Sequence, residues 1–191
     1  TEESLPKPRR ELPDPSTYTP LDADEVVGLF GRNGPLAMSL PGYEPREEQM
    51  RMARAITEAL NGSKHLLVEA GTGVGKSLAY LVPAALWSTA NHTPVVISTN
   101  TKNLQSQLFR KDIPLIRDIL QIPFSAALIK GRRNYLCLSR FHRLLHGATG
   151  ELDGPQRKRL AGVLVWAAAT GGGDLSELMG GEETNDGDLW T

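Results

Sequence analysis

The chain has 191 residues, 40% of them hydrophobic and 23% charged, with a formal net charge of −1, the balance of a globular protein with room for one ordinary domain and an appendage. No apolar run approaches the roughly 20 residues of a membrane span, the first residues do not read as a leader, and the single cysteine, Cys137, excludes an internal disulfide framework and points to a reducing compartment such as the cytoplasm. The near-neutral charge makes no general case for nucleic acid, so such a case rests on local patches.

Residues 1–20 hold five prolines among charged and polar residues and read as an extended linker. Next come a short helix over Ala23–Phe30 and a loop broken by Gly and Pro. Pro45 opens a strong helix, with Glu47 and Glu48 near the positive end of its dipole. Met50, Ala53, Ile56 and Leu60 share one face at helical spacing, and Asn61-Gly62 ends it. The apolar run His65–Glu69 reads as a buried strand. A helix runs from the following loop to about Thr89, with Pro83 expected to kink it or loosen one turn. Pro94–Thr99 reads as a second strand, Asn103–Lys111 and Pro114–Leu120 as helices, and Phe124–Ile129 as a third strand. Strands alternating with helices predict a parallel sheet covered on both faces, with ligands beyond the carboxyl ends of the strands. After Arg133 the pattern changes to two helices, Leu136–Leu145 and Arg157–Thr170, followed by a glycine-rich, acidic and loosely ordered stretch, Gly171–Thr191.

The most informative residues are Ala70-Gly71-Thr72-Gly73-Val74-Gly75-Lys76-Ser77. They form a phosphate-binding loop, with Ala70 where the general pattern has Gly, in the strand–loop–helix context that such a motif requires. The glycines let backbone amides approach an anion closely, and the helix N-terminus adds partial positive charge. Lys76 suits the β and γ phosphates of ATP, and the Ser77 hydroxyl is placed to ligate Mg²⁺. The bland alternative, a Gly-rich turn before a helix, does not account for Gly-Lys-Ser at the helix start. The loop alone does not name a reaction, because kinases, ATPases, GTPases and helicases share it.

Three further stretches add chemistry. Tyr43-Glu44-Pro45-Arg46-Glu47-Glu48-Gln49 stands before the loop. A glutamine amide can match the N6 amine and N7 of adenine, although Gln49 read alone is a solvated helix residue. Thr99-Asn100-Thr101, after the second strand, could bind phosphate oxygens or cap a helix, and the two roles are compatible. Lys130-Gly131-Arg132-Arg133-Asn134-Tyr135 suits a nucleic-acid strand by charge and stacking, against the bland reading of a solvated charged surface.

Together these stretches resemble the DinG/XPD family of superfamily 2 DNA helicases, most closely the bacterial DinG-like proteins. The resemblance covers about residues 28–145 and, more weakly, Gly173–Leu178. It implies that Tyr43, Arg46 and Gln49 attend the nucleotide, with Gln49 reading adenine, and that residues 70–77 hold ATP and Mg²⁺. It implies that Thr99, Asn100, Thr101, Arg132 and Arg133 meet single-stranded or forked DNA. The implied activity is ATP-driven 5′ to 3′ unwinding in DNA repair or replication. Residues 21–133 then form the first part of a RecA-like motor domain, and residues 134–191 begin an inserted domain. Many family members carry a [4Fe–4S] cluster there, with the first ligand in a block like Gly131–Cys137. A cluster normally needs four thiolates, and this chain has one.

Hydrolysis also needs an acidic residue after an apolar strand to hold the metal. Asp174 lies eight residues past Trp166, across alanines and glycines, which is the wrong spacing. The expectation is an N-terminal portion of a longer helicase that binds ATP, does not cleave it alone, and lacks the second RecA-like motor domain. The alternatives are a stand-alone nucleotide-binding module and a different P-loop enzyme such as a kinase or small ATPase.

Overall fold

A computed structural model describes residues 14–146 and 153–178. The chain divides into two compact units between Leu128 and Ile129. Most of the linker region, residues 1–13, lies outside the described part, as do residues 179–191 of the acidic stretch.

In the first unit the helices begin where residue chemistry directs. α1 spans Ala23–Gly28, and the Asp22 side chain accepts from the backbone N–H groups of Asp24 and Glu25 at its start. α2, Pro35–Ser39, opens on proline within the stretch expected to be loop. α3, Glu47–Asn61, has acidic residues in its first turn and stops at Gly62, close to the expected bounds. Its buried row is Gln49, Ala53 and Thr57. Met50 packs against the edge of the core, whereas Ile56 and Leu60 line a cavity of about 470 Å³ with Leu66, Val68, Tyr80 and Trp87. The face of α3 is therefore turned from the apolar stripe expected at Met50, Ala53, Ile56 and Leu60. The turn brings a polar glutamine inside.

α4, Lys76–Asn91, stays helical on both sides of Pro83 and buries Ala79, Leu81, Val82 and Ala85. Proline has no N–H to offer the preceding turn, so the surrounding apolar contacts, not that bond, keep the turn helical. α5 spans Lys102–Gln107, and α6 spans Ile113–Leu120. A π-helical turn, Leu108–Asp112, joins them, so the two expected helices form one body. α3 packs against α1 and α4, and α6 packs against α2 and α4. Val26, Phe30, Leu36, Ala53, Leu81, Val82, Ala85, Leu108 and Ile116 make the shared core.

The expected parallel sheet is not formed among the described residues. Segments 65–69, 94–99 and 124–129 carry neither helix nor a ladder of paired strands. Their side chains still alternate. Leu67 is 99% exposed between Leu66 and Val68, which line the cavity, and Val96 is 89% exposed. The physical reason is that a helix closes its hydrogen bonds within itself, whereas a strand closes them only on a neighbour. The three apolar segments have the strand pattern without adjacent strands to pair with.

The second unit holds α7 (Leu138–Leu145), α8 (Gly154–Ala169) and α9 (Leu175–Leu178). Asp153 and Gln156 form a reciprocal capping box at the start of α8. Phe141, Leu144, Val163 and Leu175 form its core. Residues 171–178, expected to be loose, are tied in. Lys130 Nζ lies 2.6 Å from Asp174 Oδ2 and donates to Ser176 Oγ at 2.9 Å. The Leu136 N–H donates to the Gly173 carbonyl at 2.9 Å, beside an isolated antiparallel bridge between Tyr135 and Asp174.

Candidate nucleotide site

The loop after residue 69 turns directly into α4. Gly73 and Gly75 have φ of +81° and +82°, the left-handed region that costs a residue with a Cβ but not glycine. A Cβ at Gly71 or Gly73 would meet nothing within 4 Å, so the loop is open on that side. Gly75 is the N-cap of α4 and contributes no side-chain cap. The first N–H groups of a 16-residue helix are thus left facing the loop without a side-chain acceptor, as an anion site needs. The Lys76 ammonium donates to the carbonyls of Ala70 at 3.0 Å and Gly71 at 2.6 Å. These features fit ATP with Mg²⁺: an open glycine cradle, a cation folded across it and a hydroxyl, Ser77, in the first helical turn. Ser77 could hold the metal, which would supply positive charge against that of the phosphates.

Beneath the loop lies Gln49, 3% exposed. Its Nε2 donates to the Gly75 carbonyl at 3.0 Å, and its Oε1 accepts from the Tyr43 hydroxyl at 2.9 Å. Tyr43 shares that hydrogen with the Phe30 carbonyl at 3.2 Å. Burial pushes the Tyr43 phenol above its ordinary range, against the pull of nearby Arg46, so it stays a donor. Gly75 is required twice over, because a Cβ there would sit 2.3 Å from Gln49 Nε2. Arg46 is exposed at the start of α3. The structure therefore bonds Tyr43, Gln49 and Gly75, which sequence reasoning had only grouped, into one network.

On the other side of the loop stand two residues that sequence reasoning missed. Tyr80 lies one turn along α4 from Ser77, and its phenol is pushed up by burial against a hydrogen bond with Ser77. Asp112, at the end of the π turn, is pushed up by burial as well, with the Gln107 and Ser77 side chains acting the other way. Asp112 precedes Ile113-Pro114, so in the sequence it has the look of a helix cap.

Thr101 caps α5, its Oγ1 accepting from Leu104 N at 3.2 Å, and Thr99 Oγ1 donates to the Thr101 carbonyl at 3.4 Å. Asn100 is exposed. In the second unit, Arg132 and Arg133 are exposed on a 3₁₀ turn, while Lys130 is engaged by Asp174. That pairing also occupies the carboxylate whose spacing already argued against a role in hydrolysis. Cys137 is a half-buried free thiol at the start of α7. Among the described residues no group of three or more His, Cys, Asp or Glu could hold a metal ion. With one thiolate in the sequence, the chain does not fit a [4Fe–4S] cluster by itself.

Comparison with known proteins follows the same line. The sequence is 40% identical over 148 residues to the "3'-5' exonuclease DinG" of Bacillus subtilis, covering 78% of this chain and 16% of that protein. It is 39% identical over 157 residues to the "ATP-dependent DNA helicase YoaA" of Haemophilus influenzae, covering 82% and 24%. It is 38% identical over 162 residues to the "ATP-dependent helicase DinG" of Mycobacterium tuberculosis, covering 76% and 24%. The chain thus spans a quarter or less of the length of these relatives. The family pattern described as DEAD/DEAH box helicase matches residues 50–151, from the first turn of α3 past the end of α7. That match takes in the loop, its helix and the basic block. The chain belongs to the DEAD/DEAH box helicase family, and its nucleotide-binding part is of the RecA-like P-loop type.

Proposed function

We propose that this chain is the nucleotide-gripping portion of an ATP-dependent DNA helicase. In the whole protein it would couple ATP hydrolysis to unwinding in the 5′ to 3′ direction, in DNA repair or replication. The observation that carries this reading is the geometry at residues 70–77: glycines at positive φ, an open cradle, Lys76 across it and Ser77 at the helix start. Lys76 and Ser77 are the residues assigned to the phosphates and Mg²⁺. Gln49, with Tyr43 and Arg46 beside it, is assigned to the adenine end. In the present arrangement both polar ends of the Gln49 amide are bonded. Adenine would therefore exchange with one of those bonds.

Thr99, Asn100 and Thr101 in the first unit, and Arg132 and Arg133 in the second, are assigned to single-stranded or forked DNA, supported by the exposed polar groups of Asn100 and Thr101 and the exposed cations of Arg132 and Arg133. Lys130 is left out of the second unit's set because its charge is neutralised by Asp174. The unpaired segments 65–69, 94–99 and 124–129 are assigned to a parallel sheet with helices on both faces, completed by strands from the rest of the protein. The second RecA-like motor domain belongs to that remainder. Cys137 is assigned as one ligand of a [4Fe–4S] cluster whose other thiolates also lie there. The helicase names of two relatives support this reading over that of the exonuclease name, because a triphosphate cradle is what the chain displays.

The test is nucleotide binding by the 191-residue chain, measured with a fluorescent ATP analogue. Lys76→Ala is expected to weaken binding by at least about tenfold, the loss of a charged hydrogen bond, without lowering the unfolding midpoint. ATP turnover by the unmodified chain is expected to be absent. Turnover that Lys76→Ala abolishes would show that the chain needs no further acidic box.

A further inference from the structure

Residues 18–21 straddle the end of the stretch expected to be linker, yet they are fastened to the first unit as a short strap. Asn91, the last residue of α4, accepts from the Thr19 N–H at 2.6 Å through Oδ1 and donates from Nδ2 to the Thr19 carbonyl at 3.2 Å. Asn61, the last residue of α3, repeats the pattern on Leu21. Its Oδ1 accepts from the Leu21 N–H at 2.9 Å, and its Nδ2 donates to the Leu21 carbonyl at 2.8 Å. Each amide thus meets the N–H and C=O of one residue together, as an opposing residue does in a hydrogen-bonded pair of antiparallel strands. Thr19 and Leu21 share one edge, as alternate residues of a strand do, and Pro20 between them, with no N–H to place, is exposed. Tyr18 packs edge-on against the buried Trp87 of α4, ring centroids 4.7 Å apart, and Leu21 packs against the core. The strap therefore ties the C-terminal end of α3 to that of α4. Near their N-terminal ends the same two helices are joined by the bond from Gln49 to the Gly75 carbonyl.

We propose that Asn61 and Asn91 are positioning residues for the nucleotide: by clamping residues 18–21 they hold α3 and α4 in the arrangement that presents Gln49 to adenine while the loop at the start of α4 holds the triphosphate. The two parts of the ligand fall to different helices, since Gln49 belongs to α3 and Lys76 to α4. When adenine exchanges with the Gln49–Gly75 bond, that tie between the helices is given up, and the two clamps at the far ends remain. Helices already fixed to one another lose less freedom when a ligand bridges them, which lowers the ordering cost of binding. Such coupling is reciprocal: a nucleotide that gains from the docked strap holds the strap down by the same factor. The proposal rests on the assignment of Gln49 to adenine.

The experiment measures the affinity of the 191-residue chain for ATP and for inorganic tripolyphosphate, each by displacement of a fluorescent ATP analogue. Asn61→Ala combined with Asn91→Ala should weaken ATP binding about fivefold, the low end of coupling between sites, and leave tripolyphosphate within about twofold, because the loop alone grips it. Thr19→Pro removes one clamped N–H without altering either helix and should weaken ATP in the same direction; it carries the test if the double variant fails to fold. Pro20→Ala, between the clamped residues, should change neither affinity. In the unmodified chain, saturating ATP should slow hydrogen exchange at the Thr19 and Leu21 amides. Clamp variants with unchanged ATP affinity, equal losses for ATP and tripolyphosphate, or exchange that ATP does not slow overturn the proposal and leave the nucleotide reading intact. An unmodified chain that binds tripolyphosphate as tightly as ATP overturns the adenine assignment as well.

Discussion

The helices of the first unit and its apolar non-helical segments come from the same stretch of sequence, yet they end differently. α3, α4 and α6 close on a core in which Phe30, Leu36, Ala53 and Val82 have no exposure at all. Segments 65–69 and 94–99, laid between those helices in sequence, leave Leu67 and Val96 almost bare. The contrast does not come from composition. A helix needs only one apolar face met by another helix, and its backbone is already satisfied. A strand needs partners on both edges before its faces count. Among the described residues the helical layer closes by itself, and the strand-patterned segments do not.

Three substitutions break or sharpen that contrast. The largest effect is expected in the helical layer. Ile116→Ala removes a buried side chain from the contact with α4 and should cost about 2–5 kcal/mol, read as a lower urea midpoint. The second concerns the second unit, which lacks a large core and relies on polar ties. Lys130→Met strands the mostly buried Asp174 carboxylate and should cost about 2–3 kcal/mol, seen as faster hydrogen exchange in α7 and α8. Burial pushes the Asp174 carboxyl up, but its bonds to Lys130 and Ser176 outweigh that and hold it below its ordinary 3.8. A depressed folded value means that the contribution is complete above 3.8 and fades as pH falls through the lower folded value. In Lys130→Met that acid-side loss should largely disappear. The smallest effect belongs to the bare segments. Leu67→Lys should change stability by less than about 0.5 kcal/mol and reduce self-association in light scattering. A loss as large as that of Ile116→Ala would mean that the Leu67 face is covered after all.

The sequence made the helical layer and the loop legible because their signals are local. Pro45 with Glu47, Gly62 after Asn61, and Gly-Lys-Ser after an apolar run each act within a few residues. The phase of α3 was not legible. Apolar spacing favoured Ile56 and Leu60 for the interior, but Gln49 and Thr57 go inside because Tyr43, Gly75 and the Ala53 carbonyl satisfy their polar atoms. The π turn at Leu108–Asp112 was invisible for a similar reason. One extra residue in a turn changes no composition and obeys no 3.6-residue period. The Lys130–Asp174 pair joins two stretches that had each been read for other chemistry, a basic patch and a failed acidic box. Pairing between them could not be inferred from either alone.

The ammonium of Lys76 rests on the carbonyls of Ala70 and Gly71. Two of its three N–H donors are therefore engaged before any phosphate arrives. An incoming triphosphate would trade two carbonyl oxygens for its own, and not strip a water shell from the cation. Such an exchange releases little heat from the lysine contact itself. Titration calorimetry should accordingly find the Lys76 contribution mainly in the entropy of freeing the loop.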